Sequence, residues 1–172
     1  MSQNRTEVGI VMGSDSDWPL VKKAAATLKE FGVSCECRVI SAHRTPEVAS
    51  EYASGAAGRG LKIVIAAAGG AAHLGGVLAA HTTLPVIGIP VPTEMMGGLD
   101  SLLATVQMPG DVPVATVGAG MGGPRNAGLL AVQILATADS SLREKLAAFK
   151  QRLAEKVAGK NESLQRKIAE EG

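Results

Sequence analysis

"VGIVMGSDSDWPLVKKAAATLKEFG", residues 8–32, decides the fold class. Its first five residues are apolar without a helical period, the mark of a strand buried on both faces. Glycine, serine and aspartate then make a loop over 13–17. Leu20, Val21, Ala24, Ala25 and Leu28 fall on one face of a helix that Gly32 ends. Strand, polar loop and helix in this order are the first half of a βαβ unit.

The pattern repeats. "CECRVI" (35–40), "LKIVIAAA" (61–68), "LPVIGIPV" (84–91) and "VPVATV" (112–117) read as four more strands. Helical patterns over 46–57, 71–82 and 99–107 separate them, the first with Thr45 as its expected cap and Pro46 at its first position. The expected architecture is α/β: a three-layer αβα sandwich around a doubly wound, five-stranded parallel sheet, flavodoxin-like, in the order 2-1-3-4-5. Residues 1–172 are read as a single α/β domain. After the fifth strand come a helix over 124–137 and a charged one over 139–159, with Leu142, Leu146, Phe149 and Leu153 as an apolar stripe. Residues 139–172 are expected to extend onto a neighbouring subunit, the polar tail from Lys160 being frayed or helical only in a complex.

Composition excludes several classes. A chain of 172 residues that is 46% hydrophobic with a net charge of +1 is long enough for one sizeable core and too balanced to bind nucleic acid through a basic surface. One Trp, one Tyr and two Phe leave few platforms for stacking bases. No apolar run approaches the roughly 20 residues of a membrane span, and no export signal precedes residue 8. Cys35 and Cys37 lie too far apart along an extended strand for an unstrained bridge, so they read as a reduced pair in a cytoplasmic protein.

Ligands of a doubly wound sheet bind beyond the carboxyl ends of its strands. The loops after strands one to three read "GSDSDW" (13–18), "SAHRTP" (41–46) and "AGGAAHLGG" (68–76). The first offers helix-start amides and the hydroxyls of Ser14 and Ser16 to a phosphate, and Asp17 to ribose hydroxyls; helix capping is the plainer reading. The second sets His43, able to exchange protons near neutral pH, beside Arg44, able to hold phosphate in a fork. The third brings Gly69 and Gly70, which allow close backbone approach, and His73 at a helix start. His81, at that helix's far end, reads as structural. No histidine pair has carboxylate or cysteine partners at ligand spacing, so no metal site is expected. "GAGMGG" (118–123) meets the dinucleotide pattern, but no further strand with a terminal acid follows it. A receiver domain fails on the missing aspartate at the end of strand three.

"VMGSDSDW", "VISAHRTPE", "AGGAAHL", "LPVIGIPV", "GLDSLLATVQMP", "VPVATV" and "NAGLLAVQILA" together resemble the class I 5-(carboxyamino)imidazole ribonucleotide mutases, the family of the phosphoribosylaminoimidazole carboxylase catalytic subunit, over roughly residues 7 to 138. The resemblance implies an isomerase of de novo purine biosynthesis that moves a carboxyl group from an exocyclic nitrogen to a ring carbon, without cofactor or metal. It implies His43 as general acid/base, and Ser14, Ser16 and Arg44, with Ser41 beside them, at the phosphate. Asp17 would meet the ribose, the backbone around Gly69, Gly70 and Ala71 the substrate's polar groups, and His73 the base and carboxylate. A homo-octamer with sites at subunit junctions is implied too. Gly75 stands where the family usually has proline, "AAAGG" replaces its G-A-G-G run, and "PTEMMGG" (92–98) varies a further loop. Two alternatives are direct carboxylation of the aminoimidazole, disfavoured by "GGAAHL", and a non-catalytic ribonucleotide-binding module, which would have no use for His43.

Overall fold

A computed structural model describes residues 6–171. Strands β1 (Val8–Met12), β2 (Cys35–Val39), β3 (Ile63–Gly69), β4 (Val86–Val91) and β5 (Ala115–Thr116) form one parallel sheet in the order β2-β1-β3-β4-β5. This is the doubly wound order expected from the sequence. The helices are α1 (Trp18–Phe31), α2 (Pro46–Ala56), α3 (Leu74–His81), α4 (Leu99–Val106), α5 (Gly123–Ala136) and α6 (Ser140–Glu171).

Strand alternation sorts the core into two layers. Val11, Val64 and Ala66 pack with Ala49, Tyr52 and Ala53 of α2 and with Leu74 and Leu78 of α3. Val8, Ile10, Ile63 and Ile65, in register on β1 and β3, point to the other face, toward α1, and are fully buried. All five residues of β1 are buried, whereas the edge strand β2 is half-buried to exposed. Gly32 ends α1 in the left-handed conformation, φ 78°, as its place after the periodic run predicts.

Three local readings give way to the structure. Thr45 sits at the N-cap of α2 but makes no side-chain capping bond; its hydroxyl turns back to Ser41. β5 is only two residues long, because Pro113 brings no N–H and the strand lies at the sheet edge. The tail beyond Lys160 is helical, continuing α6 to Glu171 with good helix formers and no internal proline.

The chain divides into two compact units, Met1–Val132 and Gln133–Gly172. The first contains the sheet, α1 to α4 and most of α5; the second contains the end of α5 and α6. Within the second, Ser141 and Leu142 donate their amides to Asp139 Oδ1 at 2.9 and 3.3 Å, an N-terminal cap for α6. Among the described residues no helix is long and apolar enough to cross a membrane.

Close helix packing fixes the sign of one substitution. A Cβ on Gly128 of α5 would lie 2.8 Å from Thr27 Cβ and 2.9 Å from the Ala24 carbonyl oxygen of α1. Alanine for glycine ordinarily favours a helix interior by about 0.5–1 kcal/mol. Overpacking against backbone that cannot rotate away costs about 1–3 kcal/mol. Gly128→Ala should therefore lower the urea midpoint with an unchanged m-value; a raised midpoint would show that the two helices part freely.

Candidate active site

The carboxyl ends of β1, β2 and β3 deliver their loops to one cavity of about 360 Å3. Gly13, Ser14 and Asp17 form one wall, Ser41 to Arg44 a second, and Ala68, Gly69, Ala72, His73 and Leu74 the third.

In the first loop Ser14 caps a short 3-10 turn over Asp15–Asp17, accepting from the Ser16 amide at 3.3 Å and from the Ser16 hydroxyl at 2.8 Å. Ser16 thus braces Ser14 and is not itself in the wall. Asp17 precedes α1 without capping it through its side chain, which leaves the carboxylate to the cavity. Burial raises its pKa, a hydrogen bond with the Ser14 backbone opposes the shift, and the charge of Asp15 adds to it.

The second loop is a closed turn. Thr45 Oγ1 accepts from the Ser41 amide at 3.2 Å and donates to the Ser41 carbonyl at 2.9 Å. Ser41 Oγ in turn accepts from the amide and Nε of Arg44, at 3.2 and 3.3 Å. Arg44 Nη2 donates to the Gly13 carbonyl at 2.9 Å, so the guanidinium is laid against the first loop, where an anion meeting the Ser14 hydroxyl would also meet a cation.

The third loop is held from behind. Gly70, at φ 66°, donates its amide to Ser101 Oγ at 2.9 Å, and that hydroxyl donates to the Val91 carbonyl at 2.6 Å. The Gly70 amide is therefore spent on α4, and Gly69 and Ala72 line the cavity in place of Gly70 and Ala71. Ala72 takes a positive φ of 41°, unusual for a residue with a Cβ, just before His73 at the N-cap of α3. Gly75, in the first turn of α3, is buried without disturbing that helix start.

His43 Nε2 and His73 Nδ1 stand 2.8 Å apart, their rings edge to face at 84° with centroids 4.9 Å apart. At that separation one nitrogen donates and the other accepts, so the tautomer of one ring dictates that of the other. The sequence places both histidines in one pocket but says nothing of this contact. It also leaves Ser101 unnoticed, although a serine on the inner side of an otherwise leucine-rich helix is a signal in its own right. Together the loops offer a fixed cation with a hydroxyl, a half-buried carboxylate, an imidazole pair and a wall of small apolar residues. No group of three or more metal-ligating side chains occurs among the described residues.

Known proteins carry the same arrangement of sequence and fold. The family model for AIR carboxylase matches residues 7–156. The N5-carboxyaminoimidazole ribonucleotide mutase of Mycobacterium tuberculosis is 59% identical over 162 residues, 94% of this chain and 92% of that protein. The mutase of the same name from Bacillus subtilis is 58% identical over 139 residues, 81% of this chain and 86% of its own length. That of Pyrococcus horikoshii is 50% identical over 165 residues, 96% and 92% respectively. Among solved structures, a single-residue variant of Treponema denticola PurE2 superposes with a TM-score of 0.84 at 27% identity, over 93% of this chain and 98% of that one. Treponema denticola PurE gives 0.79 at 28% identity over 88% and 94%. The chain belongs to the AIR carboxylase family.

Proposed function

We propose that His43 carries the proton in a carboxyl shift on N5-carboxyaminoimidazole ribonucleotide, and the observation that carries this reading is its 2.8 Å contact with His73 inside the three-loop cavity. The chain is a mutase of purine biosynthesis, like its relatives at 50–59% identity. The reaction is an isomerisation. The carbamate nitrogen takes a proton as its bond to the carboxyl carbon breaks, the ring carbon attacks the released carbon dioxide, and the ring carbon then loses its proton to restore aromaticity. One proton is given and one taken, so a single imidazole serves both steps and no co-reactant is consumed. His73 holds the His43 ring and its tautomer. Ala42, Ala68, Gly69 and Ala72 form the small-residue wall that would retain carbon dioxide between the steps. Ser14 and Arg44, the latter oriented by Ser41, receive the phosphate, with Ser16 in support; Asp17 receives the ribose hydroxyls.

The chain works as a homo-oligomer, the octamer being the state that the resemblance implies. The support lies in α4, whose amphipathic sense is reversed. Ser101 and Thr105, 0% and 4% exposed, face inward, while Leu99, Leu103 and Val106 are 48%, 45% and 49% exposed. Met95, in the loop before α4, is 90% exposed. An apolar row of this kind on the outside of a helix calls for a covering surface, and a second copy of the chain supplies one. Leu153, Val157, Leu164 and Ile168 leave a similar exposed row along α6, consistent with residues 139–172 serving assembly as well.

Four outcomes test this reading. His43→Asn should bind the carbamate substrate but convert it at least about 100-fold more slowly, the usual scale of general acid/base catalysis; near-normal turnover in carbon dioxide-free buffer would remove His43 from the mechanism. In the same buffer the parent chain should turn over its substrate without added bicarbonate, which a direct carboxylase acting on the free aminoimidazole would require. Burial raises the folded-state pKa of Asp17 above its unfolded value, so the ionised carboxylate opposes folding and stability falls as pH rises through the interval between the two. Asp17→Asn should accordingly melt higher than the parent at pH 7, lose that advantage below the unfolded pKa of about 3.9, and bind substrate more weakly. Melting below the parent at pH 7 would mean that Asp17 serves the fold rather than the ligand. Finally, Leu103→Lys should reduce the particle mass in light scattering and reduce activity with it. A fully active parent monomer of 17.5 kDa would overturn the oligomeric reading.

A further inference from the structure

Across the α1 side of the sheet, two rows of aligned residues run from β3 through β1 to the exposed edge. Ile63, Val8 and Cys35 form one row, and Ile65, Ile10 and Cys37 the other. The isoleucines and Val8 are fully buried, but Cys35 is half-buried and Cys37 exposed. Packing alone does not account for a thiol at an exposed edge position. Cys35 opens onto a groove of about 520 Å3 along α1, with Lys22, Lys29 and Trp18 in its walls. Solvent and small solutes therefore have a way in.

Two residues apart on β2, the two side chains share one face of the sheet. Residues two apart on a strand have Cα atoms about 6.6 Å apart, near the upper limit of about 6.8 Å for a disulfide and beyond its usual 5.5–6 Å. A direct bridge requires β2 to buckle. A metal ion spanning the sulfurs does not: with metal–sulfur bonds of about 2.3 Å, two thiolates sit roughly 3.8 Å apart on a tetrahedral ion and about 4.6 Å apart on a linear one, within reach of side chains on Cα atoms at that spacing. Glu36, between the cysteines, points to the opposite face and accepts from the Tyr52 hydroxyl at 2.8 Å, so it is not a third ligand. No third histidine, cysteine or carboxylate joins the pair among the described residues. Two soft ligands and no third suit a soft cation content with low coordination.

We propose that Cys35 and Cys37 form a two-thiolate chelating site on the edge of the sheet for a single thiophilic cation, of the copper(I) class in preference to zinc(II). Binding releases the thiol protons to solvent and forms two metal–sulfur bonds without any change in oxidation state. The site lies on β2, outside the cavity of His43, and does not depend on the reading of that cavity.

The test uses the full chain, reduced and freed of metal, titrated in separate arms with copper(I) held by a competing chelator and with zinc(II), followed by native mass spectrometry. The expected result is one copper(I) per chain. Cys35→Ser and Cys37→Ser, near-isosteric changes on a half-exposed strand, should each weaken the complex by more than about 100-fold, above what loss of an outer partner to a metal ligand costs. Circular dichroism of both variants should match the parent, separating lost ligation from lost fold. No uptake of copper(I) by the parent, or equal uptake by the parent and both serine variants, overturns the proposal. Tighter uptake of zinc than of copper(I) overturns the assignment of class. An intrachain disulfide formed in air at the expense of metal uptake overturns it as well.

Discussion

A single hydroxyl ties the carboxyl side of the sheet together. Ser101 Oγ accepts the Gly70 amide and donates to the Val91 carbonyl, linking the loop after β3, the end of β4 and helix α4. Ser101 is wholly buried. Leaving either backbone group unpaired in such a place would cost about 1–3 kcal/mol, whereas an ordinary exchange of hydrogen bonds with water nets about 1. The link is therefore firm because it is dry. It fixes Gly70 in its left-handed conformation, hence the path through Ala72, and hence the point at which His73 enters the cavity.

The same hydroxyl explains why α4 is turned inside out. Once its inner face carries Ser101 and, one turn on, Thr105, which donates to the Ser101 carbonyl at 2.7 Å, no room is left there for bulky side chains. Gly88 on β4 shows how tight the fit is, since a Cβ there would run into Thr105 Cγ2 and lie 3.0 Å from Val114 Cγ1. Leu99 and Leu103 of "LDSLLATVQ" then face out. The polar tether that places the third loop and the exposed apolar row are thus two faces of one helix, so the proposed assembly would be coupled to the geometry of that loop.

How much of this could be read from the sequence follows from the range of the interactions involved. β1 and β3 are apolar throughout, and between them and the flanking helical patterns the sheet order was legible; so was the convergence of three loops, because strand direction alone puts all of them at one end. The closed turn from Ser41 to Thr45 was misread locally, since capping α2 and bonding back to Ser41 are equally open to a threonine hydroxyl and only the three-dimensional path chooses. The His43–His73 contact and the Gly70–Ser101 bond join residues about 30 positions apart and depend on the exact seating of two loops. No periodicity encodes them. The thiol pair was legible as two side chains on one face, but its place on an exposed edge depends on which strand is outermost.

The two ends of the cavity are held in physically different ways. At the Arg44 end every support is local or backbone-directed: Ser41 holds the guanidinium, the Gly13 carbonyl receives it, and Ser16 braces Ser14. These bonds fix a charge in one position, as the proposed recognition of an unreacting phosphate requires. At the His43 end the support is another imidazole, whose nitrogen can either give or accept a hydrogen bond. A carboxylate in the place of His73 would only accept, and would hold His43 in one tautomer. In the proposed reaction the same ring first gives a proton to nitrogen and then takes one from carbon, and an imidazole partner can follow His43 through both halves. Rigid support where nothing changes and an ambivalent partner where the proton moves are what a carboxyl shift with no net proton uptake demands.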